Sequence, residues 1–346
     1  MTAPSAENGT RRDGSARPAT IGDVAARAGV SVPTVSRVLT GAARVSDSKR
    51  ERVELAIREL DFHPSAAARV LASRKPHVIS IIAGDTSRYG YAETIRGVER
   101  SARAGGYTVM ITVVESSTEE EVDRAVAATL TQPVAGIVVL KFDPPGVAAL
   151  HRLPAGIPVV ALSGVRDTAY VQAVLDEARA AEELTGYLLS LGHRTVHHVR
   201  VPPSRKEDGR TTGWRRALRL AGREVPATLD ATWEPRSGAE IGRRLAEDPQ
   251  VTAVFCGNDE IAMGVIRGLI DSGRKVPEDV SVVGFDDHPL AAMWSPPLTT
   301  VAQDFAGLGR RGFELLATEI AGTPGRRYSS ERPTLIVRES AAPPRG

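Results

Sequence analysis

The sequence predicts an α/β protein with three parts: an N-terminal helix-turn-helix head of three helices, a hinge helix, and a two-lobed body of doubly wound parallel sheets. Two patterns indicate this. Apolar residues repeat at helical spacing between residues 20 and 60. From Val78 onward, short apolar runs alternate with amphipathic stretches, which is typical of parallel sheets covered by helices on both faces.

Composition is consistent with a globular protein and excludes several classes. Of 346 residues, 42% are hydrophobic and 25% are charged, which is enough for a large core. The net charge is only +2, so any basic surface must be local, and residues 1–75 are rich in arginine. The single cysteine, Cys256, excludes an internal disulfide. We expect residues 1–18 to form a disordered tail without a signal peptide, and the protein to be cytoplasmic with no membrane partner.

The first predicted helix occupies the start of a helix-turn-helix. Its apolar residues fall at i, i+3, i+4 and i+7, namely Ile21, Val24, Ala25 and Ala28. Thr20 is the predicted N-cap, and Gly29 is the predicted end of the helix because a sharp reversal favours a residue that tolerates positive φ.

The second helix begins after its predicted cap, Ser31, and its apolar residues Val35, Val38 and Leu39 point inward. The remaining side chains face outward or lie at the helix start: Val32, Pro33, Thr34, Ser36 and Arg37. A third helix follows the predicted cap Ser46. Three short helices with a four-residue turn between the first two are typical of a DNA-binding unit, although two helices packed at a glycine also occur in ordinary cores.

The predicted hinge helix starts at Pro64 and is rich in alanine. With roughly nine residues it is shorter than the ~12–15 that an isolated helix needs in water. Its large apolar residues are only Val70 and Leu71. We therefore expect this segment to fold only with a partner.

The remaining chain predicts one large two-lobed domain. We expect the head at residues 19–63, the hinge and linker at 64–76, and the body at 77–340. Lobe 1 is predicted at about 77–175 plus 304–325, and lobe 2 at about 176–303 plus 326–340.

Eight stretches resemble the lactose-repressor/galactose-repressor (LacI/GalR) family of bacterial transcription regulators, and they occur in the order of that family. They are TIGDVAARAGVS at 20–31, TVSRVL at 34–39, PSAAARVL at 64–71, LGHR at 191–194, CGNDEIAMG at 256–264, VVGFDD at 282–287, PLTTV at 297–301 and VRES at 337–340. Each stretch alone is weak, but the ordered set is highly specific.

The resemblance implies that the second helix enters the major groove of DNA. Val32 and Pro33 match the positions that choose bases, and Arg37 matches a third base-reading position. Ser31, Thr34 and Ser36 are then placed to bond phosphates. In the hinge, the resemblance makes Leu71 a wedge that enters the minor groove from each half of a dimer and kinks the site. The predicted DNA contacts of the hinge are Ala68, Arg69 and Leu71.

For the body, the resemblance implies a periplasmic sugar-binding fold with an effector in the cleft between the lobes. The residues at effector positions are Tyr91, Arg210, Trp233, Asn258, Asp286 and Gln303. Arg210 and Asp286 can each hold a pair of vicinal hydroxyls, and Trp233 offers an apolar face to a sugar ring. Two alternatives stay open, namely that Trp233 is a core residue and that Asp286 only caps a turn.

Other constellations do not indicate chemistry. His193, His197 and His198 do not converge for a metal at their spacing. Asp286 and Asp287 are adjacent and are expected to point different ways, which is poor geometry for an acid–base pair. Cys256 is expected to be a buried strand-end residue. We expect neither a metal nor a cofactor, and no enzymatic activity.

The resulting interpretation is an effector-gated repressor that binds a near-palindromic double-stranded operator as a homodimer, with a sugar or related polyol as effector. A dimer is expected rather than a tetramer because no leucine-heptad helix follows the last strand. The alternative is a cytoplasmic or exported sugar-binding protein without DNA function, against which the basic head and the missing signal peptide argue. A sugar-modifying enzyme lacks a catalytic set.

Overall fold

The computed structural model describes residues 17, 19–39, 45–62, 76–203 and 207–345. The chain divides into two compact units, Met1–Pro76 and His77–Gly346. The predicted tail at 1–18, apart from residue 17, and the predicted hinge at 64–76, apart from residue 76, lie outside the described residues.

Three helices are described in the N-terminal unit: α1 (Ile21–Ala28), α2 (Val32–Leu39) and α3 (Asp47–Glu59). Thr20 caps α1 as predicted, because its hydroxyl accepts from the Asp23 N–H at 3.3 Å while its own N–H donates to the Asp23 carboxylate at 2.7 Å. Gly29 ends α1 at a φ of 62°, the left-handed region that favours glycine. Ser46 is at the N-cap position of α3 but makes no side-chain capping bond, so its predicted role was wrong in that detail.

One valine from each helix forms the centre of this unit. Val24, Val35 and Val53 are fully buried and belong to a single apolar cluster. The inward position of Val35 turns the opposite side of α2 toward solvent, because side chains three and four positions apart share one helix face.

Lobe 1 contains a six-stranded parallel sheet. Its strands are β1 (Val78–Ala83), β2 (Thr108–Val113), β3 (Val134–Leu140), β4 (Val159–Ser163), β5 (Gln172–Leu175) and β11 (Tyr328–Glu331). Their order is β11-β5-β4-β3-β1-β2. The helices of this lobe are α4 (Tyr89–Ala104), α5 (Glu119–Leu130), α6 (Pro144–Arg152) and α11 (Phe305–Ala321). Helices α4 and α11 cover one face, and α5 and α6 cover the other.

Strand β1 shows why the sequence of this sheet is a continuous apolar run. Ile79 and Ile81 point into the cluster under α4 and α11, whereas Ile82 points into the cluster under α5 and α6. All three are fully buried. A strand covered on both faces needs apolar residues at successive positions, because its side chains alternate between the faces.

Lobe 2 is a smaller sheet of the same kind. Its parallel strands are β6 (His197–Arg200), β7 (Leu229–Asp230), β8 (Ala253–Cys256) and β9 (Ser281–Val283), in the order β7-β6-β8-β9. Its helices are α7 (Glu177–Ser190), α8 (Gly209–Leu220), α9 (Pro235–Ala246) and α10 (Asp259–Asp271). Helices α7 and α8 pack on one face, and α9 and α10 on the other. An antiparallel pair, β10 (Thr300–Ala302) and β12 (Thr334–Ile336), adjoins β9.

The chain crosses between the lobes three times: after β5, between β10 and α11, and between β11 and β12. The predicted placement of 326–340 in lobe 2 was therefore wrong in part, because Tyr328–Glu331 pairs with β5 in the lobe 1 sheet. The physical reason is that the edge of β5 needs partners for its backbone N–H and C=O groups. The Tyr-Ser-Ser-Glu segment is not a continuous apolar run, so its residues do not predict a strand.

Candidate functional site

The outward side of α2 carries the side chains predicted to contact DNA. Val32 is 43% exposed, and Pro33 and Arg37 are exposed as well. The Ser31 and Thr34 hydroxyls lie 2.9 Å apart at the helix start. These residues and half-buried Ser36 stay candidate DNA contacts, while the hinge candidates Ala68, Arg69 and Leu71 lie outside the described residues.

The second candidate site is a cleft between the two lobes of the body, with an empty volume of ≈ 780 Å³ that is partly open to solvent. The cleft lies at the carboxyl ends of the parallel strands, where ligands of open α/β sheets bind. Five of the six predicted effector residues line it: Tyr91, Arg210, Trp233, Asn258 and Asp286. The sixth, Gln303, lies behind Asp286 and donates to its Oδ1 at 2.8 Å.

Arg210, the second residue of α8, is held from several directions. Its Nη2 donates to Oε1 of Glu177 at 2.9 Å and lies 3.2 Å from Oδ1 of Asp286. Its Nη1 donates to the Gly257 carbonyl. The guanidinium carbon is 4.6 Å from the ring centroid of Phe285. With 12% of its side chain exposed, Arg210 is a fixed part of the cleft wall.

Asp286 and Asp287 follow β9 with φ values of 110° and 52°. Positive φ at non-glycine residues is strained and concentrates at functional sites. The two carboxylates point different ways as predicted, because Asp287 binds Arg338 at 2.6 Å while Asp286 faces Arg210. Burial raises the pKa of Asp286 to about 6, against the guanidinium of Arg210 and the hydrogen bond from Gln303, which lower it.

Asn258 serves first as the N-cap of α10. Its side-chain oxygen accepts from the Ile261 N–H at 2.9 Å, and its amide nitrogen lies 3.3 Å from the Glu260 carboxylate. A side-chain amide has two N–H donors. Asn258 can therefore present a donor to the cleft from a fixed position.

Trp233 lines the cleft and also packs against the lobe 2 core, so both interpretations of this residue hold in part. The guanidinium carbon of Arg88, in lobe 1, lies 4.6 Å from the centroid of the Trp233 ring. The Nη2 atom of Arg88 is 3.5 Å from the Asp85 carboxylate. A second contact joins the lobes where the rings of Tyr89 and His288 meet edge to face at 4.9 Å. One face of the indole is thus occupied by the protein itself.

On the lobe 1 side, the hydroxyl of Tyr91 donates to Asp143 at 2.5 Å. Burial and the neighbouring Asp143 charge raise the pKa of Tyr91. Because this hydroxyl is used within lobe 1, Tyr91 contributes ring surface to the cleft. Beside it, the buried Lys141 ammonium is 2.9 Å from the Asp167 carboxylate.

Several residues that line the cleft were missed by sequence reasoning: Arg88, Lys141, Glu177, Asp208, Glu260 and Phe305. A signal existed for two of them. Lys141 follows β3 directly and Glu177 follows β5 after one residue. Polar residues just past the carboxyl ends of parallel strands gather at one edge of the sheet, and that rule would have found both.

The other constellations are structural. His198 is buried, and its Nδ1 donates to the Phe255 carbonyl at 3.0 Å while its Nε2 accepts from the Thr211 hydroxyl at 3.1 Å. Burial lowers the pKa of His198 to about 4. Cys256 is a buried strand end as predicted, and burial raises its pKa. Within the described residues, no three His, Cys, Asp or Glu side chains are grouped to hold a metal ion.

Comparison with known proteins decides the family. Residues 20–65 match the model of bacterial regulatory proteins of the lacI family, and residues 185–341 match the periplasmic binding protein-like domain. The HTH-type transcriptional repressor PurR of Erwinia tasmaniensis is 35% identical over 333 residues, which is 94% of this chain and 97% of PurR. The chain belongs to the LacI family. PurR proteins of Escherichia coli strains are 34% identical over 334 residues, again over 94% of this chain and 97% of the relative.

Two solved structures show the same architecture. The Lac repressor dimer bound to operator and the anti-inducer ONPF has a TM-score of 0.86 and 28% identity, over 94% of this chain and 100% of the repressor. The complex of the transcriptional regulator CelR with cellobiose has a TM-score of 0.69 and 30% identity, over 93% of this chain and 99% of CelR. The predicted family and fold class of this LacI-family protein are thus confirmed.

The relatives are named as transcriptional repressors, in agreement with the interpretation of a regulator rather than an enzyme. In the part of the chain that the structure describes, none of the helices is both long and apolar enough to cross a membrane.

Proposed function

We propose that this LacI-family protein is a cytoplasmic repressor that binds a near-palindromic operator as a homodimer and responds to a sugar or related polyol in the interlobe cleft. The observation that carries the proposal is the lobe 2 wall, where Arg210, Asp286 and Asn258 are fixed beside the half-buried ring of Trp233. Fixed polar groups beside an aromatic face suit a ring that carries several hydroxyls.

On the DNA side, α2 offers one strong base reader. Arg37 can donate two hydrogen bonds to guanine in the major groove. Val32 and Pro33 are exposed at the helix start and have no side-chain donor, so their contacts are apolar, for example to a thymine methyl. We assign phosphate contacts to Ser31, Thr34 and Ser36. Because α2 reads few bases, the hinge residues Ala68, Arg69 and Leu71 are proposed to supply the remaining specificity by kinking the site.

The comparisons support both halves of the proposal. The Lac repressor structure contains an operator and a small-molecule anti-inducer, and the CelR structure contains cellobiose. An effector would control operator affinity if it bound one arrangement of the two lobes more tightly than the other. A ligand shifts the equilibrium between two such states by the difference in its affinity for them.

Binding to genomic DNA fragments in a gel-shift assay tests the DNA function. We expect retention of a few fragments that contain near-palindromic sequences, and a change in their affinity when a sugar that raises the melting temperature is added. A protein that binds sugars but retains no fragment would support the alternative of a sugar-binding protein without DNA function. Specific fragments whose affinity no sugar, nucleoside or polyol changes would contradict the gating.

A further inference from the structure

Glu177 lies at the junction of the two lobes. It is the first residue of α7, directly after the crossing from β5, and 12% of its side chain is exposed. Its carboxylate accepts from Arg210 at 2.9 Å. It therefore holds the same guanidinium nitrogen that lies 3.2 Å from Asp286.

Two glycines clear the space for this carboxylate. A Cβ at Gly164, just after β4 in lobe 1, would lie 2.3 Å from Cδ of Glu177. A Cβ at Gly209, next to Arg210, would lie 3.1 Å from Cβ of Glu177. A methyl group at Gly164 would collide with the Glu177 carboxylate. The approach of Glu177 to Arg210 therefore requires a glycine at position 164.

The charges around Arg210 do not balance. Among the described cleft residues, Arg88 and Lys141 on lobe 1 each have a carboxylate partner outside the lining, Asp85 and Asp167. Among the described residues, the lobe 2 side carries one arginine and four carboxylates: Arg210 against Glu177, Asp208, Glu260 and Asp286. The described part of this wall therefore has more carboxylates than cationic groups.

We infer that Glu177 is a positioning and specificity-determining residue of the effector site: it fixes Arg210 toward the cleft and makes lobe 2 favour hydrogen-bond donors over anions. The inference rests on the proposed function for the identity of the site. The favoured effectors carry neutral hydroxyl or amine groups, and a phosphate or carboxylate facing lobe 2 is repelled.

The first test needs no effector. Asp286 is labelled with ¹³C at its carboxyl carbon and titrated by NMR in the full-length protein and in Glu177→Gln. The groups that act on Asp286 are Arg210, Gln303, Glu177 and Glu260, and Asp286 in turn acts on Asp259 and Tyr89. Removing the Glu177 carboxylate takes away a negative charge that raises the pKa of Asp286 and a competitor for Arg210, so the titration midpoint of Asp286 falls below its wild-type value of about 6.

A matched control is Glu182→Gln, which breaks the 3.5 Å pair with Arg216 between the same two helices, outside the cleft lining. It leaves the Asp286 midpoint unchanged. An unchanged midpoint in Glu177→Gln would overturn the inference, because Glu177 would then not share Arg210 with Asp286.

The second test uses cellobiose, glucose, glucosamine and glucose 6-phosphate as probes in thermal-shift and calorimetric titrations. The wild-type protein binds a free or amino sugar and not the phosphate. Glu177→Gln lowers the affinity for the sugar by about 10-fold. It also reduces the difference in affinity between the sugar and glucose 6-phosphate. Tighter binding of the phosphate by the wild type would refute the selectivity. If none of the probes binds, sugar sensing is contradicted, whereas the Asp286 titration still decides the role of Glu177.

Discussion

On α2, the side chains offered to a partner are mostly uncharged and exposed, with Val32 at 43% exposure and Pro33 and Arg37 also at the surface. On the lobe 2 wall, 12–14% of the Arg210, Glu177 and Asp286 side chains is exposed, and both carboxylates pair with the Arg210 guanidinium. The first surface rests on a small apolar core on its other side, whereas the second is itself part of the packed interior.

This difference predicts how each region responds to change. A substitution on the exposed side of α2 removes a partner contact and leaves the fold intact, because surface changes away from caps and cores usually alter stability by less than about 0.5 kcal/mol. A substitution on the lobe 2 wall leaves a buried charge without its partner. Binding and stability are thus separable in the head and coupled in the cleft.

The largest expected effect is that of Arg210→Met. It leaves the buried carboxylates of Glu177 and Asp286 without their cation, and breaking a buried ion pair in this way costs about 3–5 kcal/mol. Urea unfolding of the full chain at neutral pH measures the loss. Arg216→Met is the control, because its partner Glu182 is 3.5 Å away and 68% of the Arg216 side chain is exposed. Equal stabilities of the two variants would contradict the coupling.

A pH series gives the next largest effect and separates the two regions. The pKa of His198 falls from 6.5 to about 4 in the folded protein. The unfolded chain therefore takes up a proton first as the pH drops, and His198 contributes stability that is present above 6.5 and is lost toward pH 4. The contribution of His198 alone is about 1.4 kcal/mol per pH unit between these values. Below about pH 6 it is opposed by Asp286, whose raised pKa makes the folded state take up a proton there.

Hydrogen exchange of the full chain at pH 7 and pH 5, corrected for intrinsic rates, reports where this loss occurs. Residues 19–62 contain no histidine, so no proton uptake by histidine destabilises α1–α3 in this range. We expect faster opening in β6 and α8 and little change in the head. In His198→Asn the additional opening at pH 5 should shrink to the part due to His193 and His197, whose pKa values burial also lowers. An unchanged opening would assign the whole effect to other groups.

The head could be predicted from sequence because its contacts are local. Thr20 and Asp23 are three residues apart, and Gly29 joins two helices that are visible as apolar spacing. In the described parts of the head, 19–39 and 45–62, the apolar cluster that packs the three helices is made of residues from the head itself. The only correction there concerned Ser46, whose capping bond depends on side-chain orientation rather than on residue type.

The six effector positions were predicted through the family resemblance, and the pairs that hold them in place were not predicted. Glu177 and Arg210 are 33 residues apart, and Arg88 reaches Trp233 from the other lobe. No local pattern encodes such pairs. Strand β11 was missed for a related reason: its sequence is not an apolar run, and its position at the sheet edge follows from pairing with β5.

The third prediction tests separability in the head. Arg37→Ala should reduce discrimination of the preferred operator by about 1–3 kcal/mol, roughly 5- to 150-fold, because a bidentate contact to guanine is lost. The urea midpoint should stay within error of the wild type. Fluorescence anisotropy with operator and with a base-substituted operator measures the first quantity. Arg37→Lys should keep the charge and lose the fork geometry, so a full rescue by lysine would contradict base reading.

The smallest effect concerns coupling between the lobes. Arg88 lies over Trp233 from lobe 1, and a partly exposed cation–π contact contributes about 0.5–1 kcal/mol. A double-mutant cycle with Arg88→Ala, Trp233→Leu and the combined variant should give this coupling in unfolding free energy. Arg96, whose partner Glu93 lies three residues earlier in α4, replaces Arg88 in the control cycle and should show no coupling to Trp233. A zero value for Arg88 would mean that this cation–π contact does not couple the lobes, and the ring contact of Tyr89 with His288 would then be the next contact to test by the same cycle.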